Sequence, residues 1–130
     1  IREWLLIGST FKDELVPDIV DVLEYLKSKD YELIVLSNWF KSTQINRLKK
    51  MGLYDYFVEV YGGDEFLKPN PNSYLNVCDD VSECVMIGDN YHKDFLGPKN
   101  IGMGAILYDP NDKISEKCKI KRMNELKEMF

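Results

Sequence analysis

The stretch Cys84-Val85-Met86-Ile87-Gly88-Asp89 constrains this chain most. Four residues without a polar break stop at a glycine and an acid. An uninterrupted apolar run of this length reads as a strand covered on both faces, as in a parallel sheet. The acid that ends it then stands at the carboxyl edge of that sheet, where open α/β folds bind ligands. Asp94 follows five positions after Asp89. Two carboxylates on one short loop suit a hard cation such as Mg2+.

The rest of the chain supplies the partners such a strand needs. Pro17 can open a helix, and Ile19, Val22, Leu23 and Leu26 then recur at helical spacing as one apolar stripe. Leu33 to Leu36 is a second continuous apolar run. A helix over about 42–51 turns Ile45 and Leu48 inward and stops at Gly52, a residue suited to a helix end. Phe57 to Tyr61 reads as a strand, Pro71 starts a helix carrying Tyr74, Leu75 and Cys78 on one side, and 93–99 reads as a short helix. Gly104 to Tyr108 is a further strand, and a last helix places Met123, Leu126 and Phe130 together. Helices alternating with strands predict a Rossmann-like, three-layer α/β/α fold with a mostly parallel sheet. Residues 16–130 form this core. The segment 1–15 reads as the tail of a preceding domain or a linker, although Trp4 to Ile7 also suits a helix end or a short strand.

Bulk properties exclude some partners. A chain of 130 residues is one domain's worth and can bury a core without metal staples. Its net charge of −5 disfavours nucleic acid and anionic membranes. The lysines between Lys113 and Lys127 are interleaved with Glu116 and Glu125 and read as a solvated face. No apolar run approaches the ~18 residues of a membrane span. Cys78, Cys84 and Cys118 show neither CxxC pairing nor metal-ligand spacing, which fits core filling in a reducing cytoplasm.

Three short motifs fall where loops leave the strands' carboxyl ends. Ser37-Asn38 follows the strand at Leu33 to Leu36. A hydroxyl, an amide and free N–H groups at a strand-to-helix turn suit a phosphate oxygen, while Ser-Asn is also an ordinary capping pair. Lys68 precedes Pro69, which restricts its backbone. It reads either as a group neutralising a phosphoryl or carboxylate charge or as a surface lysine. Gly88-Asp89 with Asp94 is the third motif, and acids near a helix N-terminus are favoured by the macrodipole in any case. Trp39 and Phe40 stand beside the first motif, either facing a ligand or packing. His92, the sole histidine, is expected to be exposed.

In order and spacing, Ser37-Asn38, Lys68-Pro69-Asn70-Pro71 and Gly88-Asp89-x4-Asp94 together resemble motifs two, three and four of the haloacid dehalogenase (HAD) superfamily of hydrolases, over roughly Glu14 to Asp109. The resemblance implies a Rossmann-like core and phosphoryl transfer through an aspartyl-phosphate, with Mg2+ as cofactor and a small phosphorylated molecule as substrate. It implies that Ser37 binds the phosphoryl group, that Asn38 shapes its loop and that Lys68 offsets charge as a catalytic residue. Asp89 would be a metal ligand, with Asp94 supporting the metal shell or its loop. The acid at Asp89 points to a phosphatase rather than a dehalogenase.

The family's first motif, Asp-x-Asp at the end of an apolar strand, has no counterpart in these residues. Without that nucleophile the chain would be an inactive hydrolase core. The alternative is a non-catalytic module of the same fold, and a receiver-like domain is disfavoured by the Lys-Pro-x-Pro order. The missing strand would belong between those at Leu33 and Val85, and an empty place there would expose two edges. Either the neighbours close on each other, Leu5 to Ile7 fills the place, or a second chain does so by self-association.

Overall fold

The computed structural model describes residues 16–130 and, as backbone, the strand Trp4–Ile7. Six strands form one sheet: β1 (Trp4–Ile7), β2 (Glu32–Leu36), β3 (Glu59–Tyr61), β4 (Cys84–Gly88), β5 (Gly104–Tyr108) and β6 (Lys119–Ile120). Their order is β3-β2-β1-β4-β5-β6, and every neighbouring pair is parallel.

The place expected to be empty is filled from within the chain. Ile7 of β1 lies level with Val35 of β2 on one side and with Ile87 of β4 on the other. Residues 4–7 thus stand in the middle of the core sheet. The physical reason is the backbone: two facing strand edges in a buried sheet need partners for their N–H and C=O groups. Self-association argued from a vacant position loses its basis with the vacancy.

Alternate residues of the apolar strands serve opposite faces. Leu33, Val35, Val60, Ile87 and Ile106 pack on one side with Val22, Leu23 and Leu26 of α1 (Ile19–Ser28), Leu48 of α2 (Lys41–Lys50) and Leu126 of α5 (Leu126–Met129). Ile34, Leu36, Cys84 and Met86 face the other way, onto Tyr74 of α3 (Pro71–Leu75), Cys78 and Met103. This is why β2 and β4 show no polar alternation in sequence. Helix α2 ends where expected: Gly52 has φ +72° and open space around it, so backbone conformation rather than room selects glycine there.

Some elements differ from the sequence expectation. The segment read as a helix over 93–99 is a π-helical turn, Tyr91–Leu96, running into α4 (Gly97–Asn100). The C-terminal helix is a 3-10 turn, Met123–Glu125, continued by α5. Strand β6 was not foreseen, because two residues carry no periodicity. In α2, Leu48 is buried and Ile45 packs partly buried against the same core as expected, and Gln44 is buried beside them. Cys78 and Cys84 form a disulfide rather than remaining unpaired core filler, because the turn after α3 returns directly to the start of β4. The inference of a reducing compartment from unpaired cysteines loses that support. No helix among the described residues is long and apolar enough to cross a membrane.

Candidate functional site

The carboxyl ends of β2 and β4 flank the central strand, and their loops meet over a cleft of about 290 Å³. Asn38, Trp39, Lys68, Asp89, Asn90, Lys93 and Asp94 line it. Residues from three loops, distant in sequence, are brought to one sheet edge.

Lys68 is the pivot. Its side chain is buried, 3 % exposed overall, and its Nζ donates to Asp94 Oδ1 at 2.5 Å. The reading as a surface lysine is thereby excluded. Its main chain is held from both sides by one side chain: Asn38 Oδ1 accepts from the Lys68 N–H at 2.8 Å, and Asn38 Nδ2 donates to the Lys68 carbonyl at 3.1 Å. Asn38 therefore ties the β2 loop to the lysine loop across thirty residues of sequence.

Asp94 is equally committed. Its second oxygen, Oδ2, accepts from the Asn90 N–H at 3.1 Å. A Cβ on Gly88 would come within 2.3 Å of the same oxygen. Glycine ends β4 because the carboxylate sits directly against its backbone. The turn that carries Asp94 is itself fixed: Asn90 Oδ1 accepts from the Lys93 N–H at 3.0 Å, and the Tyr74 hydroxyl donates to the Lys93 carbonyl at 2.5 Å. Burial, with Asp94 adding to it, pushes the Tyr74 hydroxyl well above the ordinary tyrosine range, so it stays a donor.

Burial also lowers the Lys68 pKa from its ordinary value. The charge and hydrogen bond of Asp94 oppose this without cancelling it. Lys93, on the same cleft, pushes Lys68 further down, and Asp89 pushes it back up. Desolvation of a buried ammonium outweighs even a close counter-ion here.

Of the residues expected to form the site, Asn38, Lys68, Asp89 and Asp94 line one cleft. Ser37 does not. It is 1 % exposed, its N–H donates to the Tyr61 carbonyl at 2.9 Å, and its Oγ accepts from the Trp39 N–H at 3.0 Å. The hydroxyl serves the turn, as a capping serine does. Asp89 is exposed at the end of β4, and His92 is exposed as expected. Sequence reasoning missed Asn90, Lys93 and Tyr74. Asn90 had a signal, since an Asn opening a helical turn is a standard cap. Lys93 and Tyr74 had none, because their roles depend on α3 meeting the β4 loop.

The residues present suit an anion on the lysine side and a cation on the Asp89 side. Among the described residues no three of His, Cys, Asp or Glu gather as a ready metal cage. That donor set fits Mg2+, which keeps several waters and binds through one or two carboxylates plus substrate oxygens. Asp89 is the solvent-exposed carboxylate on the cleft, while Asp94 is buried with both oxygens accepting hydrogen bonds.

The chain matches the family model of haloacid dehalogenase-like hydrolases over residues 7–102. It is 36 % identical over 97 residues to a glyceraldehyde 3-phosphate phosphatase from Methanothermobacter thermautotrophicus, covering 70 % of this chain and 43 % of that protein. It is 29 % identical over 104 residues to a ribulose-1,5-bisphosphate 5-phosphatase from Halopiger xanaduensis, covering 75 % of this chain and 44 % of that protein. Among solved structures, a HAD phosphatase from Thermococcus onnurineus superposes with a TM-score of 0.81 at 29 % identity, over 89 % of this chain and 58 % of the other. The chain thus spans less than half the length of these curated relatives. With parallel sheet, lysine loop and acid loop in the places the motifs require, the chain belongs to the haloacid dehalogenase-like hydrolases.

Proposed function

We propose that this chain is the core of a phosphatase that hydrolyses small phosphomonoesters with Mg2+ held on Asp89. The observation that carries this reading is the buried Lys68–Asp94 pair at the sheet's carboxyl edge, with the solvent-exposed Asp89 on the same cleft. Phosphoryl transfer asks a protein mainly for positioning and for stabilisation of charge on the phosphoryl oxygens. Lys68 supplies positive charge that cannot swing away, because Asp94 and Asn38 hold its head and its backbone. Asp94 acts in this scheme as the residue that orients Lys68 and the acid loop. Mg2+ on Asp89 would offset phosphoryl charge from the other side. Ser37 supports the turn under the phosphate site, its Oγ accepting from the Trp39 N–H.

The attacking carboxylate is the part not found. No Asp-x-Asp occurs in the 130 residues. These residues by themselves are therefore read as a binding-competent core without turnover, and a second reading, a non-catalytic module of the same fold, rests on that same gap. Titration with inorganic phosphate and hydrolysis of an aryl phosphate, each with and without Mg2+, test both. Phosphate binding that needs Mg2+ and is lost in Asp89→Asn is expected, with no turnover above that variant. Binding indifferent to Mg2+ and to Asp89 would remove the metal from this site. Turnover that depends on Asp89 would show that another residue attacks phosphorus.

A further inference from the structure

The cleft has an unlike lining. Asp89, Asn90 and Lys93 bring charge and amide to it, and Trp39 lines it as the one aromatic residue. The residues next in sequence, Phe40 after Trp39 and Leu67 before Lys68, are large, apolar and 67 % and 55 % exposed. Ligand sites combine an apolar surface with a few polar groups that fix orientation. Here the polar residues suit the phosphoryl group, which leaves Trp39 for whatever is esterified to it.

Trp39 is built as a platform rather than as core packing. It is 41 % exposed, yet its backbone is tied at both ends: its N–H donates to Ser37 Oγ at 3.0 Å and its carbonyl accepts from the Gly63 N–H at 2.7 Å. A Cβ on Gly63 would come within 2.3 Å of the Asn38 carbonyl, so the two loops are pressed together under the ring. The Arg47 guanidinium lies 3.5 Å from the ring centroid and covers one face. An aromatic ring held in one orientation, with its back face occupied, loses little freedom when a flat partner stacks on it.

We infer that Trp39 is a specificity residue that stacks an aromatic or heteroaromatic leaving group against the cleft. This rests on the phosphatase reading above and adds the class of ester it prefers.

The test compares phenylphosphonate, cyclohexylphosphonate and methylphosphonate by calorimetric titration in the presence of Mg2+. Phenylphosphonate is expected to bind about three- to tenfold tighter than methylphosphonate, the range a stacked aromatic pair supplies. The phenyl-to-methyl ratio should fall to about one in Trp39→Ala and persist in Trp39→Phe, which keeps a flat ring. Cyclohexyl binding as tight as phenyl would replace stacking with plain apolar burial and overturn the inference. So would a ratio that survives Trp39→Ala. If methylphosphonate binds but phenylphosphonate gains nothing, only this inference fails. If neither phosphonate nor inorganic phosphate binds, the phosphate site itself is refuted and the inference with it.

Discussion

Two lysine–aspartate groups in this molecule use the same chemistry and behave in opposite ways. Lys68 and Asp94 are buried against the cleft, with side chains 2 % exposed each. Lys119 opens β6, where it pairs with Asp109 and Asp112 of the loop after β5 and also donates to the Ile114 carbonyl. Its hydrogen bond to Asp112 raises the Lys119 pKa, whereas burial lowers that of Lys68 in spite of Asp94. The contrast teaches what each pair is for. Here Lys119 and Asp109 are mostly shielded but Asp112 stays 53 % exposed, so the group keeps contact with water on one side and tightens the turn. At the cleft the ions have been stripped of water, and their value lies in a fixed charge rather than in stability.

The contrast can be broken at its buried end first. Asp94→Asn leaves a buried ammonium without its counter-charge and should destabilise the fold by about 3–5 kcal/mol in urea unfolding. The double change Lys68→Met with Asp94→Leu should recover most of that loss, since no charge is then buried. A cost below about 1 kcal/mol for Asp94→Asn would put the pair in the same class as a surface bridge.

A smaller effect is expected one residue beyond β4's apolar run. Gly88→Ala pushes a methyl group against Asp94 Oδ2 and should cost about 1–3 kcal/mol by the same measurement. The ion pair survives by shifting, so the loss stays below that of Asp94→Asn. An unchanged midpoint would mean that the carboxylate has room to move away.

The smallest effect belongs to the partly exposed network at β6. Lys119→Ala should shift the unfolding midpoint less than either change at the cleft, and high salt should reduce the difference. Its signature is pH. The Ile114 N–H holds the Asp109 carboxyl below the usual range, and Lys119 does the same for Asp112. Depressed carboxyl values contribute stability above the ordinary carboxylate range, and that stability is lost as pH falls through the lowered values. The acid limb of stability against pH should therefore be flatter in Lys119→Ala. Lys68 works with the same sign: its folded value too is below its unfolded one, so stability should rise with pH between the two. An acid limb unchanged in Lys119→Ala would dissolve the comparison.

How much of this was legible in sequence follows from what each feature depends on. β2 and β4 were legible because both faces of each are covered and no polar residue interrupts them. α1 was legible from its stripe, and Gly52 from the left-handed backbone its position demands. The acid loop could be read as a site because Asp89 directly follows a buried strand. The double hold of Asn38 on Lys68 could not be read, because it joins residues that only the fold makes neighbours. Nor could the burial of Ser37, whose hydroxyl suits a phosphate and a turn equally well.

The sequence by itself determined the layer class, the parallel strands and the three loops that carry polar chemistry, since apolar periodicity and chain punctuation are local properties. Tertiary structure decided the rest. It put Trp4–Ile7 between β2 and β4, bonded Cys78 to Cys84, buried Lys68 and left Trp39 exposed on the cleft. Each of these depends on which groups lose their water together, and that is fixed only when distant segments pack.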